Sequence, residues 1–566
     1  MKHERLILCG GASAPRGVRA ERLHLDLWGR DPNVFLKIRN ITDAVAKNPP
    51  PVLLDLLDVA AYLYAGDQCV PRGGTASFDY GDRWDRRLRY VIPLRRPKVW
   101  QRARVKEALA DVLGWMTDDQ FEFRFPQLKN PPKLPSYLEF DKDTANPTGI
   151  EEVCMFSGGL DSLAGAVKEA VVDGRKVALV GHCPAPQLHK RQDQLLEALA
   201  AKCKPAKRPF FVQVWANKAS SLTKDTSQRI RSFLFASLGA VIAGMMKLNR
   251  VRFYENGPVS LNLPLCEQLV GARVTRTTHP KTLAGMSKLL SLLLGTDFAV
   301  DNPFLWKTRT DTVLDLKAAK AEDLLPYTVS CSHTRGMTTG YPHCGCCSQC
   351  IDRRFAVLAA DCGQHDPADS YQLDVLTDGR DKTEDRTMLE RYLGFAAKVE
   401  AVKDENTFFT EFPEAYRTIN AMDGDRRESA KQVIALCKRH GEQVNGVVDR
   451  ALADAAASGA LRRGELPGNC ALLLVGSRHS TPAPTTEATG QDSASPAEQD
   501  TDRPRCAPMT RTEIARRLLN RTDARVRQAE GMMKRLGLRQ EDGKFYTILV
   551  DQLDPATRTR LLKPAS

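Results

Sequence analysis

The sequence predicts an α/β protein built round a doubly wound, mostly parallel sheet, and three observations carry that expectation. Between residues 150 and 362, strand-like apolar runs (153–156, 176–180, 210–214 and 251–254) alternate with longer helical or loop segments. Such alternation belongs to a sheet covered on both faces. The first run passes through a glycine-rich turn, Ser157-Gly158-Gly159-Leu160-Asp161-Ser162, into a helix expected over 163–172. Finally, 566 residues are too many for one ordinary core, so further units must flank the central one.

In chain order, residues 1–148 are expected to form an α+β extension. Strand-like runs at 5–9 and 88–92 and a strong helical run at 52–65 are punctuated there by prolines at 49–51 and 131–135, and Pro147 closes the segment. The central unit follows over 150–362. Its uncharged apolar run 233–246 is too short to span a bilayer and fits a buried helix. Residues 363–476 read as helical and polar. Residues 477–508 are rich in Ser, Thr, Pro, Ala and Gln, cannot bury enough surface to offset their ordering entropy, and are expected to be a disordered linker. Residues 509–566 suggest a small winged-helix-like domain. It would have two short helices in 510–536, with Thr510 and Glu513 at capping-box spacing, then an Asp542-Gly543 turn and a strand over 544–550. Arg516, Arg517, Arg525 and Arg527 could meet phosphates there, or form the solvated face of a protein-docking domain.

A content of 42% hydrophobic and 27% charged residues is that of a globular chain, which argues against a wholly disordered or membrane-spanning class. The formal net charge of +13 suits an anionic ligand or nucleic acid, but the excess is spread along the chain. The opening residues lack a charged stretch followed by an apolar one, so no secretory signal is expected. The 15 cysteines are odd in number and clustered, which favours a reducing cytoplasm over a disulfide framework.

Two motifs carry chemistry. Glycines in the 157–162 turn let backbone approach a ligand, and the helix that follows offers unpaired N–H groups at its positive end, a ready site for phosphate. The spacing and lysine of a Walker A loop are absent. Geometry alone equally allows a plain turn capped by Ser or Asp. The second motif is Cys331, Cys344, Cys347 and Cys350, a C-x12-C-x2-C-x2-C set. It gives three closely spaced thiolates, with Gly345 easing the turn, and a fourth returned by a loop, as a closed structural zinc site requires. Cys346, His333 and His343 are alternative ligands, and an iron–sulfur cluster is a chemical alternative. Cys154, Cys183 and Cys266 read as small core residues.

Ser157–Ser162 resembles the SGGxDS signature of the PP-loop ATP pyrophosphatases. Together with Cys331, Cys344-Gly345, Cys347, Cys350 and Arg353, it resembles the layout of the 7-cyano-7-deazaguanine synthase (QueC-like) family. Residues 228–235 and 302–308 add partial matches, and the resemblance covers about 150–360. It implies adenylation of a carboxylated 7-deazaguanine by ATP with Mg²⁺, followed by displacement of AMP by an amine. It further implies phosphate binding by the backbone of Ser157, Gly158 and Gly159 and by the Ser162 hydroxyl. Asp161 would orient the loop or Mg²⁺, and Arg231, Lys307 and Arg353 would be anion partners. Zn²⁺ would sit on the four cysteines. The chain departs from the family at 181–192 and 254–264, which leaves the substrate and the nitrile-forming half open, although Glu255 and Asn256 could hold a purine-like edge. Its leader, especially 53–73, and its tail resemble the larger anti-phage-defence members, Qat-like or CBASS-associated. There a protein or nucleic-acid amine is the implied acceptor, and defence partners and a homodimer are the implied assemblies. A tRNA sulfurtransferase of the same superfamily, and a nucleic-acid-binding scaffold without activity, are the competing readings.

Overall fold

The computed structural model describes residues 3–479 except 19, 30, 42–48, 73–85, 132–137, 141–148, 183–185, 226–228, 264–275, 334–340 and 423. Beyond these it describes 509–510, 539–541 and 545–547. The chain divides into two units, Met1–Thr481 and Pro482–Ser566.

The first unit holds two sheets. Four strands, β1 (His3–Cys9), β2 (Glu21–Leu25), β4 (Arg86–Val91) and β5 (Gln120–Arg124), form an all-parallel sheet in the order β2-β1-β4-β5. The N-terminal segment is therefore α/β in character where α+β was expected. Its strands are joined by crossovers, not hairpins, which parallel pairing demands. The second sheet has seven strands. From β7 (Glu152–Met155) the chain moves outward to β8 (Val177–His182) and β9 (Phe210–Lys218). It then returns to the other side of β7 for β10 (Arg250–Arg252) and β11 (Ala299–Asp301), giving the order β11-β10-β7-β8-β9. These five strands are parallel, with Val153 opposite Ala178 and Cys154 opposite Arg252. Two N-terminal strands extend the sheet: β3 (Val34–Ile41) pairs antiparallel with β9, Ile38 facing Val214, and β6 (Leu138–Phe140) pairs parallel with β3.

Alternation along β7 decides which layer each residue serves. Val153 and Met155 enter a core with helices α1 (Pro51–Cys69), α2 (Ala103–Thr117), α5 (Arg231–Met245) and α6 (Pro280–Leu294). Cys154 and Phe156 face the opposite layer, made by α3 (Leu160–Val167), α4 (Pro186–Lys202) and α7 (Arg309–Ala318). α1 is buried on every side, because the same core also takes Ile7, Leu88 and Tyr90 of the four-stranded sheet. Its acids are correspondingly paired: Asp67 meets Arg72 at 2.6 Å and Arg86 at 2.7 Å, and Asp119 meets the same two arginines at 2.8 and 2.6 Å. Burial opposes ionisation of Asp67, yet the two guanidinium groups hold its carboxyl below the ordinary range. A third core joins α8 (Ser348–Ala359) to the helices α9 (Thr383–Ala401) and α10 (Arg426–Ala457).

The helix expected over 163–172 begins at Leu160 and ends in a π-helical turn, Lys168–Val172, so Asp161 and Ser162 lie in its first turn. The helix expected at 233–246 is α5. Among the described residues no helix is long and apolar enough to cross a membrane. The last described helix of this unit is Ala471–His479, and the rest of the expected linker, 480–508, lies outside the described residues. In the second unit Met509–Thr510, Phe545–Thr547 and Arg539–Glu541 form a three-stranded antiparallel sheet, Phe545–Thr547 in the middle. The expected helices over 510–536 lie, beyond Thr510, outside the described residues.

One pH effect follows from the packing. His279 is buried at the start of α6, its Nδ1 accepting from the Lys281 N–H at 3.2 Å and its ring 5.1 Å from that of Trp115. Burial, then Arg276 and Lys281, push its pKa down to about 3. The unfolded chain protonates this histidine near the ordinary value of about 6.5, so native stability falls as pH drops through the window between the two. His279→Asn keeps a capping acceptor but does not titrate. Urea unfolding at several pH values is expected to show a slope shallower by up to about 1.4 kcal/mol per pH unit between pH 6.5 and 3.

Candidate nucleotide and metal site

In open α/β sheets ligands bind beyond the carboxyl ends of the strands, where the strand order reverses. Here that point lies between β7 and β10, and the segments emerging from β7, β10 and β11 build the site. The Ser157–Ser162 turn leaves β7 and opens α3. Gly158 has φ +78, a conformation an L side chain rarely adopts, and a Cβ there would stand 3.2 Å from Gln192 Cγ. Gln192 of α4 donates from Nε2 to the Ser157 carbonyl at 3.3 Å. The Gly158 carbonyl accepts from the Val329 N–H at 3.0 Å.

The amides aimed at the turn are weakly engaged. Gly159 N–H has Ser157 Oγ at 3.3 Å, and Leu160 N–H has Ser330 Oγ at 3.5 Å, both at the outer limit of a hydrogen bond. Ser162 Oγ donates to the Gly159 carbonyl at 2.9 Å and lies 3.2 Å from Ser157 Oγ. An anion seated here would exchange these long contacts for charge-assisted ones.

Asp161 turns inward. Its carboxylate accepts from Asn256 Nδ2 at 2.9 Å, Arg309 Nη2 at 3.0 Å and Thr312 Oγ1 at 3.2 Å. Arg309 continues to Asp352 at 3.0 Å and to the Gln349 side-chain oxygen at 2.8 Å. Burial disfavours the Arg309 cation, but Asp161 and Asp352 together raise its pKa above the ordinary value. Asn256, expected at a purine edge, is fully buried, and its Oδ1 accepts from Val259 N–H at 3.2 Å, so both ends of its amide are committed. The neighbouring Glu255 carboxyl is raised by burial, against a hydrogen bond from Thr278 and with the Asp161 charge nearby. Asn302, from the partly matching segment 302–308, ties this floor together through the Glu255 carbonyl at 2.8 Å and Ser260 Oγ at 2.9 Å.

The expected cationic residues fare differently. Arg353 is fully buried and bonds Asp366 at 2.8 Å, Thr328 Oγ1 at 2.6 Å and the Leu325 carbonyl at 3.1 Å, with Ser330 Oγ at 3.4 Å. It braces the 325–330 segment that touches the turn. Lys307 pairs with Asp315 on α7 and lies 5.1 Å over the Phe304 ring. Arg231 sits on α5 with its guanidinium 5.2 Å from the Phe235 ring, and its pKa is lowered by burial despite Tyr64. None of these three has a described bond to residues 157–162. A cation that sequence reading does not single out is Arg191, which precedes Gln192 on α4 and whose only described bond is a 3.5 Å contact with the Pro326 carbonyl. Burial and then the neighbouring Arg353 lower its pKa.

Directly behind the turn lie the cysteines. The Sγ atoms of Cys331, Cys344, Cys347 and Cys350 all fall within 4.8 Å of one another, with Cys344 and Cys350 at 3.8 Å. Tetrahedral ligands about 2.3 Å from a zinc ion stand roughly 3.8 Å apart, so the four thiols could hold a metal ion such as zinc. Gly345 makes the knuckle: its φ is +77, and a Cβ would meet the Leu373 carbonyl at 1.9 Å. Cys346 and His333 form a second group that shares Cys344, whereas His343 is buried against Tyr371 with ring centroids 4.8 Å apart. The described cysteines are all free thiols, and Cys154 is buried in the core as expected, while Cys183 and Cys266 lie outside the described residues. No family model and no curated protein matches the chain.

Proposed function

We propose that the chain is an ATP-dependent ligase of the 7-cyano-7-deazaguanine synthase type. It would adenylate a carboxylated 7-deazaguanine, release pyrophosphate, and pass the acyl group to an amine with loss of AMP. The observation that supports this most is the glycine turn at the switch point, whose Gly159 and Leu160 amides keep only long contacts. In this reading the phosphates take those amides and the Ser162 hydroxyl. Charge stabilisation at fixed donors is the main contribution a protein makes to such chemistry. Mg²⁺, when bound, would offset phosphate charge. Asp161, already accepting from three donors, fixes the first turn of α3 and sets Arg309. Arg353 positions the 325–330 segment, and Zn²⁺ on the four cysteines would be structural, because a closed four-thiolate site leaves no position for substrate.

The test is direct. Purified protein is incubated with ATP, Mg²⁺, a 7-carboxylated 7-deazaguanine and either ammonium or a peptide amine, and AMP and pyrophosphate are measured. Production of both that depends on the carboxylate supports the ligase; neither product with any amine removes it. Arg191→Gln gives a sharper check on the site. Losing a charge-assisted contact of about 1.5–3 kcal/mol is expected to weaken ATP binding roughly tenfold or more in calorimetric titration, with the thermal midpoint unchanged.

A further inference from the structure

The carboxyl end of the four-stranded sheet carries a cavity of about 800 Å³ that plays no part in the site above. This sheet also reverses its strand order, between β1 and β4, and the cavity walls follow that edge: Gly10 and Gly11 after β1, Trp28 after β2, Pro93 after β4, and 125–130 after β5. A cavity of that size can enclose a small molecule. Gly10 and Gly11 have φ +55 and +71, so the turn needs glycine at both, and no atom lies within 4 Å of where a Gly11 Cβ would be. The Gly10 and Gly11 N–H groups are held by the Leu25 carbonyl and Asp26 Oδ1, both at 2.9 Å, which fixes the turn at the mouth of the cavity.

Two observations point to the kind of ligand. The charged residues lining the cavity are Lys106, Arg124 and Lys129, all cations. None of the three has an ion pair among the described residues, whereas Arg72, Arg86 and Arg95 of the same N-terminal segment are each paired with aspartates. Unpaired charge of one sign round a concave apolar wall attracts an anion. The wall itself offers aromatic surface in Trp28 and Phe123, and Trp28 Nε1–H is buried without an acceptor. A buried donor left unmade is a cost that a ligand can relieve.

We propose that this edge is a second small-molecule site, which takes a planar ring system carrying phosphate, of the nucleoside monophosphate class. The ring would lie against Trp28 and Phe123, and the phosphate among Lys106, Arg124 and Lys129. The full chain is photolabelled with 8-azido-AMP and the modified peptides are mapped by mass spectrometry. Label is expected on peptides containing Trp28 or residues 123–130, and AMP should compete for it at least tenfold better than adenosine. The double variant Arg124→Glu, Lys129→Glu changes two exposed side chains and should lower that labelling at least tenfold while leaving the thermal midpoint and any pyrophosphate release unchanged. Absence of label from these peptides, labelling indifferent to the charge reversal, or equal competition by adenosine would each overturn the proposal.

Discussion

Cys350→Ser is expected to lower the stability of the first unit by at least about 3 kcal/mol and to weaken ATP binding tenfold or more, with loss of one equivalent of bound zinc. Structural zinc sites in small domains contribute roughly 10–16 kcal/mol of apparent binding free energy, so even a partial loss is large. The coupling to nucleotide follows from where the thiols stand. Cys350 is fully buried in the first turn of α8, the helix that also carries Asp352 and Arg353. Cys331 lies two residues beyond Val329, whose N–H bonds the Gly158 carbonyl at 3.0 Å. A metal on the four sulfurs would therefore clamp two segments that both brace the Ser157–Ser162 turn. Cys346→Ser is the control. That thiol is half-buried and 3.6 Å from Cys344 Sγ, outside the four-sulfur set, and its loss should leave zinc content and the denaturation midpoint within error. The opposite pattern in metal analysis and guanidinium unfolding would exchange the two cysteines in the ligand set.

The parts of this molecule legible in the sequence are those whose signal is local. A strand, two glycines and a helix follow from apolar runs and turn chemistry, and the thiol cluster follows from spacing within a single stretch. The sequence starts α3 three residues late, because Asp161 and Ser162 have the composition of a polar loop, whereas Asp161 is held by Asn256, Arg309 and Thr312 far along the chain. Long-range pairing was not legible. Nothing in 34–41 says that this N-terminal strand will lie antiparallel beside β9, since an edge partner is chosen by the shape of the assembled sheet. Arg309, Thr312 and Gln192 were missed for a similar reason. Each sits in an ordinary polar helix turn, and its distinction is a contact made across 148, 151 or 35 residues of chain. Arg353 is legible as a motif position, but the motif shows that an arginine is present and not that Asp366 holds it.

Arg309→Met is expected to cost about 3–5 kcal/mol, because it strands two carboxylates, Asp161 and Asp352, in a closed interior. Both pairs lie at 3.0 Å, and Arg309 is nearly fully buried, so water offers little compensation. The pairing spans the site: Asp161 belongs to the Ser157–Ser162 turn, and Asp352 to the helix that carries Cys350. If Arg309 is what couples them, the double variant Arg309→Met, Asp161→Asn must be more stable than the sum of the two single losses by about 1–3 kcal/mol, since the second change neutralises an acid that the first left unpaired. Arg309→Lys should rescue only part, as one ammonium cannot reproduce a planar fork shared by two carboxylates and Gln349. Urea unfolding of the four proteins measures the coupling, and ATP titration of the same set shows whether it reaches the turn. Strict additivity in stability would mean that Arg309 and Asp161 are not coupled, and α8 could not then steady the Ser157–Ser162 turn through this arginine.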